Sequence, residues 1–362
     1  MGHYEERLEQ DLASIQANIR DISAKVETAL ADATRGLLEG DKHLANMTVL
    51  RDNRVNRISR RIDRQCHAFI AKHLPGAGHL RWISSVIRIN VALERVGDYA
   101  VTISREGLQL QRPPAGELPQ DLSRLADESR SLLRAAVDAF LDRSADGAAA
   151  TIPVTQQIED SMDDIYGRLI DSAEGRSPRE VVAVFVAFSL LKRISDQAKN
   201  ISEQTLFAVA GERKKTRPFN ILFVGSGDNE HGLIARGIGG KNFAGVGVYQ
   251  CAAPEPPDSP PAATIAFLEA CGIPTEDLEV QKLDTEQKQL QTHDIIICFD
   301  DDASRSINQL PFHTTVLTWD VAAAIAEAAP AGDEERQQAT YRYLTEQLSD
   351  LMELIADRRS GD

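Results

Sequence analysis

Residues 93–104 read "LERVGDYAVTIS", and residues 191–202 read "LKRISDQAKNIS". Leu, Arg, Asp, Ala, Ile and Ser hold the same places in both. In each stretch the apolar residues recur at spacings of three and four, not two, which specifies a helix with one apolar face and excludes a strand. A pattern that returns once in a chain of 362 residues points to an internal duplication. The first copy also poses a problem. Glu94 and Asp98 sit one turn apart on one face, where like charges destabilise each other. The residues leave three answers open: a solvated surface, salt bridges to a neighbouring helix, or a bound cation.

Reading outward, three helices are expected at about 4–39, 42–73 and from 78 to the stop signal "RPPAGELP". Three more follow, near 119–144, 148–174 and 178–211. Gly40, "LPGAG" and "EGRSP" mark the turns between them. This divides the helical part into a first repeat over 1–112 and a second over 113–212. The middle helices echo each other as well. "RDNRVNRI" (51–58) lies against "IEDSMDDI" (158–165), which pairs Asp52 with Glu159 and Asn56 with Asp163. Each repeat therefore carries a polar i, i+4 pair on its middle helix and another on its last.

The texture changes after residue 211. "GERKKTRP" contains a basic linker at 213–217. "FNILFVG", "GVGVYQC", "HDIIICFD" and "HTTVLTWD" then read as short buried strands. Helical patterns lie near 262–272, 303–308 and 333–358, and "APEPPDSPPA" is a surface loop. The fold class expected is multidomain. Two all-α three-helix bundles in tandem precede a small α/β domain, 218–362, with a mostly parallel sheet.

Charge follows the same boundary. Residues 1–217 hold 31 acidic and 31 basic side chains, whereas 218–362 hold 24 acidic and 9 basic ones. The net charge of −15 thus falls entirely in the last part, which would repel nucleic acid and anionic membranes. No apolar run is long enough to span a bilayer, and "MGHYEERLEQDL" lacks the apolar core of a signal peptide, so a cytoplasmic protein is expected. Cys66, Cys251, Cys271 and Cys298 show no metal-ligand spacing and read as buried or idle thiols.

With the duplicated E-R-[IV]-[GS]-D-x-A signature, the acidic pairs and "LRWISSVIRI" in view, residues 1–212 resemble the PhoU family of phosphate-uptake regulators. The resemblance implies two-repeat helical bundles that bind metal clusters through acidic motifs. It implies as partners the ATPase subunit of the phosphate ABC transporter and a sensor histidine kinase, with membrane association only through those partners and a possible homodimer. The candidate ligands are Asp52, Asn56, Glu94 and Asp98 in the first repeat, and Glu159, Asp163, Asp196 and Asn200 in the second. Such oxygen ligands suit hard cations, and they do not select among Mg, Mn, Fe or Zn. The family's outer Asn is Thr102 here, and Lys192 stands where repeat one has Glu94. A protonated lysine donates and cannot ligate, and it could instead neutralise Glu159 or Asp163 through a salt bridge, so the first repeat should hold metal more readily than the second. Against this stands the stripe Arg51, Arg54, Arg57, Arg60, Arg61 and Arg64, which could pair with the acids, form a solvated face, or dock an acidic partner such as the chain's own C-terminal domain.

"ILFVGSGDNEHGLIARGI", "DIIICFDDDA" and "TVLTWDV" resemble the fold shared by low-molecular-weight tyrosine phosphatases and thioredoxin-type arsenate reductases. That family's nucleophilic cysteine is Gly225 here, its loop continues through Ser226 and Gly227, its Asn is Asp228 and its arginine is His231. "TWDVAAA" lacks the acid-supplying Asp-Pro, and Asp300 stands where a redox cysteine would be. Without thiol or guanidinium, Gly225, Ser226, Gly227 and Asp228 form a degenerate anion loop, and the domain reads as a pseudo-enzyme. A nucleotide site in "GSGDNEHG" matches neither phosphate-loop pattern. The function expected is regulation of phosphate uptake and signalling through metal-dependent protein contacts. The alternatives are residual phosphatase or arsenate reductase activity, or a metal-sequestering bundle.

Overall fold

Helix α1 (Gly2–Glu39) ends at Gly40, whose φ of +69° a side chain would resist. Asp41 then opens α2 (Lys42–His73), its carboxylate accepting from the Leu44 N–H at 2.9 Å. Leu74 turns left-handed before Pro75, and α3 (Ala77–Gln109) returns antiparallel. The computed structural model describes residues 2–171, 176–211, 218–307, 314–328 and 332–355, without the side chains of positions 2, 3, 160, 163, 287, 288, 327 and 328. The chain divides into two compact units, residues 1–214 and 215–362, and the basic linker at 213–217 lies outside the described residues.

The second half of the first unit repeats the plan with α4 (Leu118–Leu141), α5 (Ala145–Asp171) and α6 (Pro178–Ala210). Ser177 caps α6 through the Glu180 N–H, Pro178 stands in its first turn, and Gly211 closes it at φ +71°. One boundary differs from the sequence expectation. The α4–α5 turn falls at 142–144, not near 147, because Arg143 turns left-handed and the Ser144 hydroxyl accepts from the Gly147 N–H at 3.0 Å. Gly147 therefore lies inside the first turn of α5, not in a break before it.

Helix α1 packs on α2 and α3, and α4 packs on α5 and α6. The two halves join through corresponding helices, α3 on α6 and α1 on α4. The core side chains of α1 are Ile15, Ile19, Ile22, Val26, Leu30, Ala33 and Leu37, spaced by three and four and all essentially solvent-free. Each larger one contributes roughly 1.5–3 kcal/mol through burial. Among the described residues no helix is long and apolar enough to cross a membrane.

The second unit runs β1 (Phe219–Val224), α7 (Glu230–Asn242), β2 (Gly247–Ala253), α8 (Ala262–Ala270), β3 (Gln281–Lys282), α9 (Gln287–Leu290), β4 (Ile295–Cys298), α10 (Asp301–Ser306), β5 (Thr315–Thr318), α11 (Val321–Ala328) and α12 (Asp333–Ile355). The sheet is parallel throughout, in the order β3-β2-β1-β4-β5. Ile221 and Phe223 of β1 pack into one apolar layer with Leu233, Leu268, Leu344 and Leu348. Leu222 and Val224 pack into the other with Leu283, Leu290 and Ile307. Burial on both faces explains why this strand reads as an unbroken apolar run. The crossover direction reverses between β1 and β4, so their carboxyl ends open onto the crevice where ligands bind in sheets of this kind.

Candidate functional site

Helices α2 and α3 approach closely at Gly97. A β-carbon there would stand 3.1 Å from Asp52 Oδ1 and 3.2 Å from Val55 Cγ1. The missing side chain makes room for the Asp52 carboxylate, which accepts from Asn56 Nδ2 at 2.7 Å. Burial, and next the charge of Asp98, push the Asp52 carboxyl above its ordinary range, against the hydrogen bond from Asn56 and the charge of Arg105. Glu94 is pushed up in the same way, by burial, then by Asp98, then by Asp52. Three carboxylates from two helices therefore act on one another.

No ion pair among the described residues neutralises them, although the charges of Arg105 and Arg95 partly offset the push on Asp52 and Glu94. Asp52, Glu94 and Asp98 form no ion pair there, and the arginine stripe does not supply one. Arg51 reaches across to Asp32 of α1 at 3.0 Å. Arg54, Arg57, Arg60, Arg61 and Arg64 are exposed and make no ion pair among the described residues. Of the three answers to the Glu94–Asp98 problem, salt bridging is the one this arrangement does not provide. The donors are all hard oxygens and fit a hard cation in kind. They are neighbours and not a closed cage: among the described residues no three His, Cys, Asp or Glu side chains already converge on one point that a metal could occupy. Thr102 turns its hydroxyl back to the Asp98 carbonyl at 3.0 Å.

Two residues of this polar seam escaped the sequence reading. Asp63 adds to the upward push on Glu94. Asn90, fully buried, donates to the Ser59 carbonyl and to Asp63 Oδ1, each at 3.0 Å, while its own Oδ1 has no hydrogen-bond partner. The available signal was spacing: Asn90 precedes Glu94 by one turn, and Asp63 lies three turns beyond Asp52 on the same face.

Repeat two is built differently. Lys192 Nζ lies 3.1 Å from Glu159 of α5 and 3.1 Å from Asp196 of α6. Burial works against the ammonium, but the charges and hydrogen bonds of Asp196 and Glu159 outweigh it and raise the Lys192 pKa. Of the sequence-based set Glu159, Asp163, Asp196 and Asn200, the structure brings Glu159 and Asp196 together around Lys192. Glu159 and Asp196 already share a cation, and Asn200 is exposed with its amide 3.5 Å from Gln197 Oε1. The side chain of Asp163 lies outside the described residues. Ser195, in the place of Gly97, faces α4 instead and meets Ser129 Oγ at 3.2 Å.

In the second unit, the loop after β1 is closed by the protein's own side chains. Asp300, after β4, accepts from the Ser226 N–H at 3.0 Å, the Ser226 hydroxyl at 2.8 Å and the Ala303 N–H at 2.6 Å. Burial alone would raise the Asp300 pKa; these hydrogen bonds lower it overall. Asn229, left-handed at φ +46° and buried, donates to the Phe223 and Ala252 carbonyls and accepts from the Gly232 N–H at 3.0 Å. A β-carbon on Gly225 would stand 2.3 Å from Asn229 Oδ1. Asn229 thus braces the loop from within, and the preceding Asp228 accepts from the Glu230 N–H at 3.3 Å. Gly227, at φ +60°, faces open space. His231 lies edge-on to Phe299, and burial depresses its pKa despite Glu230, Asp228 and Asp300. The thiols of Cys251 and Cys298 are buried and pushed up to about 11, so neither supplies a thiolate near neutral pH.

The family profile described as "PhoU domain" matches residues 19–106 and 122–205, both in the first unit. The phosphate-specific transport system accessory protein PhoU homolog of Pseudomonas putida is 30% identical over 214 residues, which is 58% of this chain and 83% of that protein. The accessory protein PhoU of Escherichia coli K12 is 28% identical over 213 residues, 58% of this chain and 88% of that one. The crystal structure of PhoU from Pseudomonas aeruginosa superposes with a TM-score of 0.54 at 26% identity, covering 56% of this chain and 99% of that one.

Proposed function

Because this chain belongs to the PhoU family, we propose that it is a cytoplasmic regulator of phosphate transport. The observation that carries this reading is the pair of profile matches, each falling on one of two three-helix halves joined through α3 and α6. The partners implied are the ATPase subunit of the phosphate transporter and its sensor kinase, reached through protein contacts. Repeat one would hold a hard cation with Asp52, Glu94 and Asp98, and Asn56 would offer a neutral oxygen. The cation would supply positive charge beyond the partial offset from Arg105 and Arg95, letting α2 and α3 close with less repulsion. The test is deletion of the gene with a phosphate-starvation reporter as readout. Deletion should switch the reporter on in ample phosphate. The full chain should restore repression, and an Asp98→Asn chain should restore it less well. A reporter indifferent to the deletion would sink this reading.

The α/β unit acts in this reading as an accessory module without catalysis. What supports this is the loop chemistry. The Ser226 and Gly232 N–H groups, which an incoming oxyanion would need, already donate to Asp300 and Asn229. Robust phosphate-ester or arsenate turnover by the unaltered protein would overturn it.

A further inference from the structure

The two repeats solve one electrostatic problem in two ways. In repeat one, the position of Glu94 adds a third carboxylate to Asp52 and Asp98. In repeat two, the same position is Lys192, and its ammonium sits between Glu159 and Asp196 at 3.1 Å from each. Glu159 belongs to α5 and Asp196 to α6, so one side chain ties two helices together. The lysine side chain is only 22% exposed, and its neighbours Leu191 and Ile194 are buried, which shields the pairs from full solvent screening. A divalent ion brought to this place would meet an ammonium already there, with Glu159 and Asp196 engaged on it.

We infer that Lys192 is the built-in cation of repeat two, so that this half closes without a metal and takes none up. This departs from a scheme in which both repeats bind metal, and it holds whether or not repeat one binds one. It makes the lysine a positioning residue for α5 against α6. Removing it leaves Glu159 and Asp196 facing each other with the tie between their helices gone. Replacing it with glutamate gives repeat two the carboxylate that repeat one has at Glu94.

The test uses the full chain and Mn²⁺ as probe, with bound metal measured by equilibrium dialysis and helix melting by circular dichroism. The Asp98→Asn background weakens the first repeat's set and isolates the second. Asp98→Asn with Lys192→Glu should bind about one more Mn²⁺ per chain than Asp98→Asn alone. Its melting temperature should rise by about 3 °C or more on adding Mn²⁺, whereas Asp98→Asn alone should not respond. Lys192→Met should melt below the parent in chelator, and Mn²⁺ should not restore it. Two results would each overturn the inference: no extra Mn²⁺ in the double variant, or a Lys192→Met chain that melts like the parent. If Lys192→Glu fails to fold without metal, Lys192→Gln serves in its place for the melting comparison. A parent chain that binds no Mn²⁺ would fail the repeat-one reading alone and leave the Lys192 comparisons intact.

Discussion

Asp52 Oδ1 lies 3.1 Å from the point where a β-carbon on Gly97 would stand. The glycine of the repeated signature is thus a steric condition for the acid on the facing helix. With Val55 Cγ1 at 3.2 Å from the same point, α2 and α3 have no slack there.

Gly97→Val should therefore force the two helices apart. Overpacking of this kind costs about 1–3 kcal/mol. The denaturant midpoint of the helical transition should fall accordingly, and metal bound by repeat one should fall with it. An unchanged midpoint would show that the helices part freely.

Glu94→Gln should stabilise the protein in chelator at pH 7. The folded pKa of Glu94 is raised, so the fold disfavours its ionised form. Stability falls as pH rises from the ordinary glutamate value, near ~4.3, through the raised folded value, and the penalty stays above it. The gain from the neutral side chain should be about 0.5 kcal/mol at pH 7, discounted for solvent screening, and should vanish below about pH 4. Melting scans across pH would measure it. A variant less stable than the parent in chelator at pH 7 would contradict the charge-cluster account.

Asp300→Ala should destabilise the α/β unit by about 1–2 kcal/mol at pH 7, through loss of the α10 cap and of the bonds to Ser226. The sign with pH is opposite to that of Glu94. The folded pKa of Asp300 is lowered, so its contribution is fully present above the ordinary aspartate value, near ~3.9. It is lost as pH falls through the lower folded value. Parent and variant should converge only in acid, as read by urea unfolding at several pH values.

Gly225→Cys should not create a phosphatase. Its β-carbon would meet Asn229 Oδ1 at 2.3 Å, and Asn229 is held by three hydrogen bonds. The variant should be less stable and should show no burst with an aryl phosphate, even when combined with His231→Arg. A measurable burst would mean that the loop opens to admit substrate.

Most of the helical unit was legible because its helices carry apolar residues at three- and four-residue spacing and stop at Gly or Pro. The α4–α5 boundary was not, because Ser144 caps in competition with Gly147, and propensity alone favours the glycine. Strand β3 was illegible for another reason. Two polar residues, Gln281 and Lys282, carry no period, and only pairing with Ala252 and Ala253 makes them a strand. Helices α7, α9 and α11 are short or glycine-rich, with weak patterns, and only the family resemblance implied the first of them. The acids of repeat one could be read as i, i+4 pairs. Asp63 and Asn90 offered only their spacing, since their place in the seam depends on the antiparallel register of α2 and α3. Lys192 was visible as a departure from Glu94 and as an ion partner for Glu159 or Asp163, whereas its second bridge, to Asp196 on its own helix, was not part of that reading.

An ion tethered by a peptide chain has an occupancy that no chelator, dilution or scarcity can change. A free ion's occupancy follows its concentration outside the protein. With α3 packed along α6, the proposed cation set of repeat one would follow that concentration beside a Lys192 copy that would not. On that proposal the pair would act as a gauge with its own fixed reference, and the difference between the halves would be the quantity a partner touching both could read.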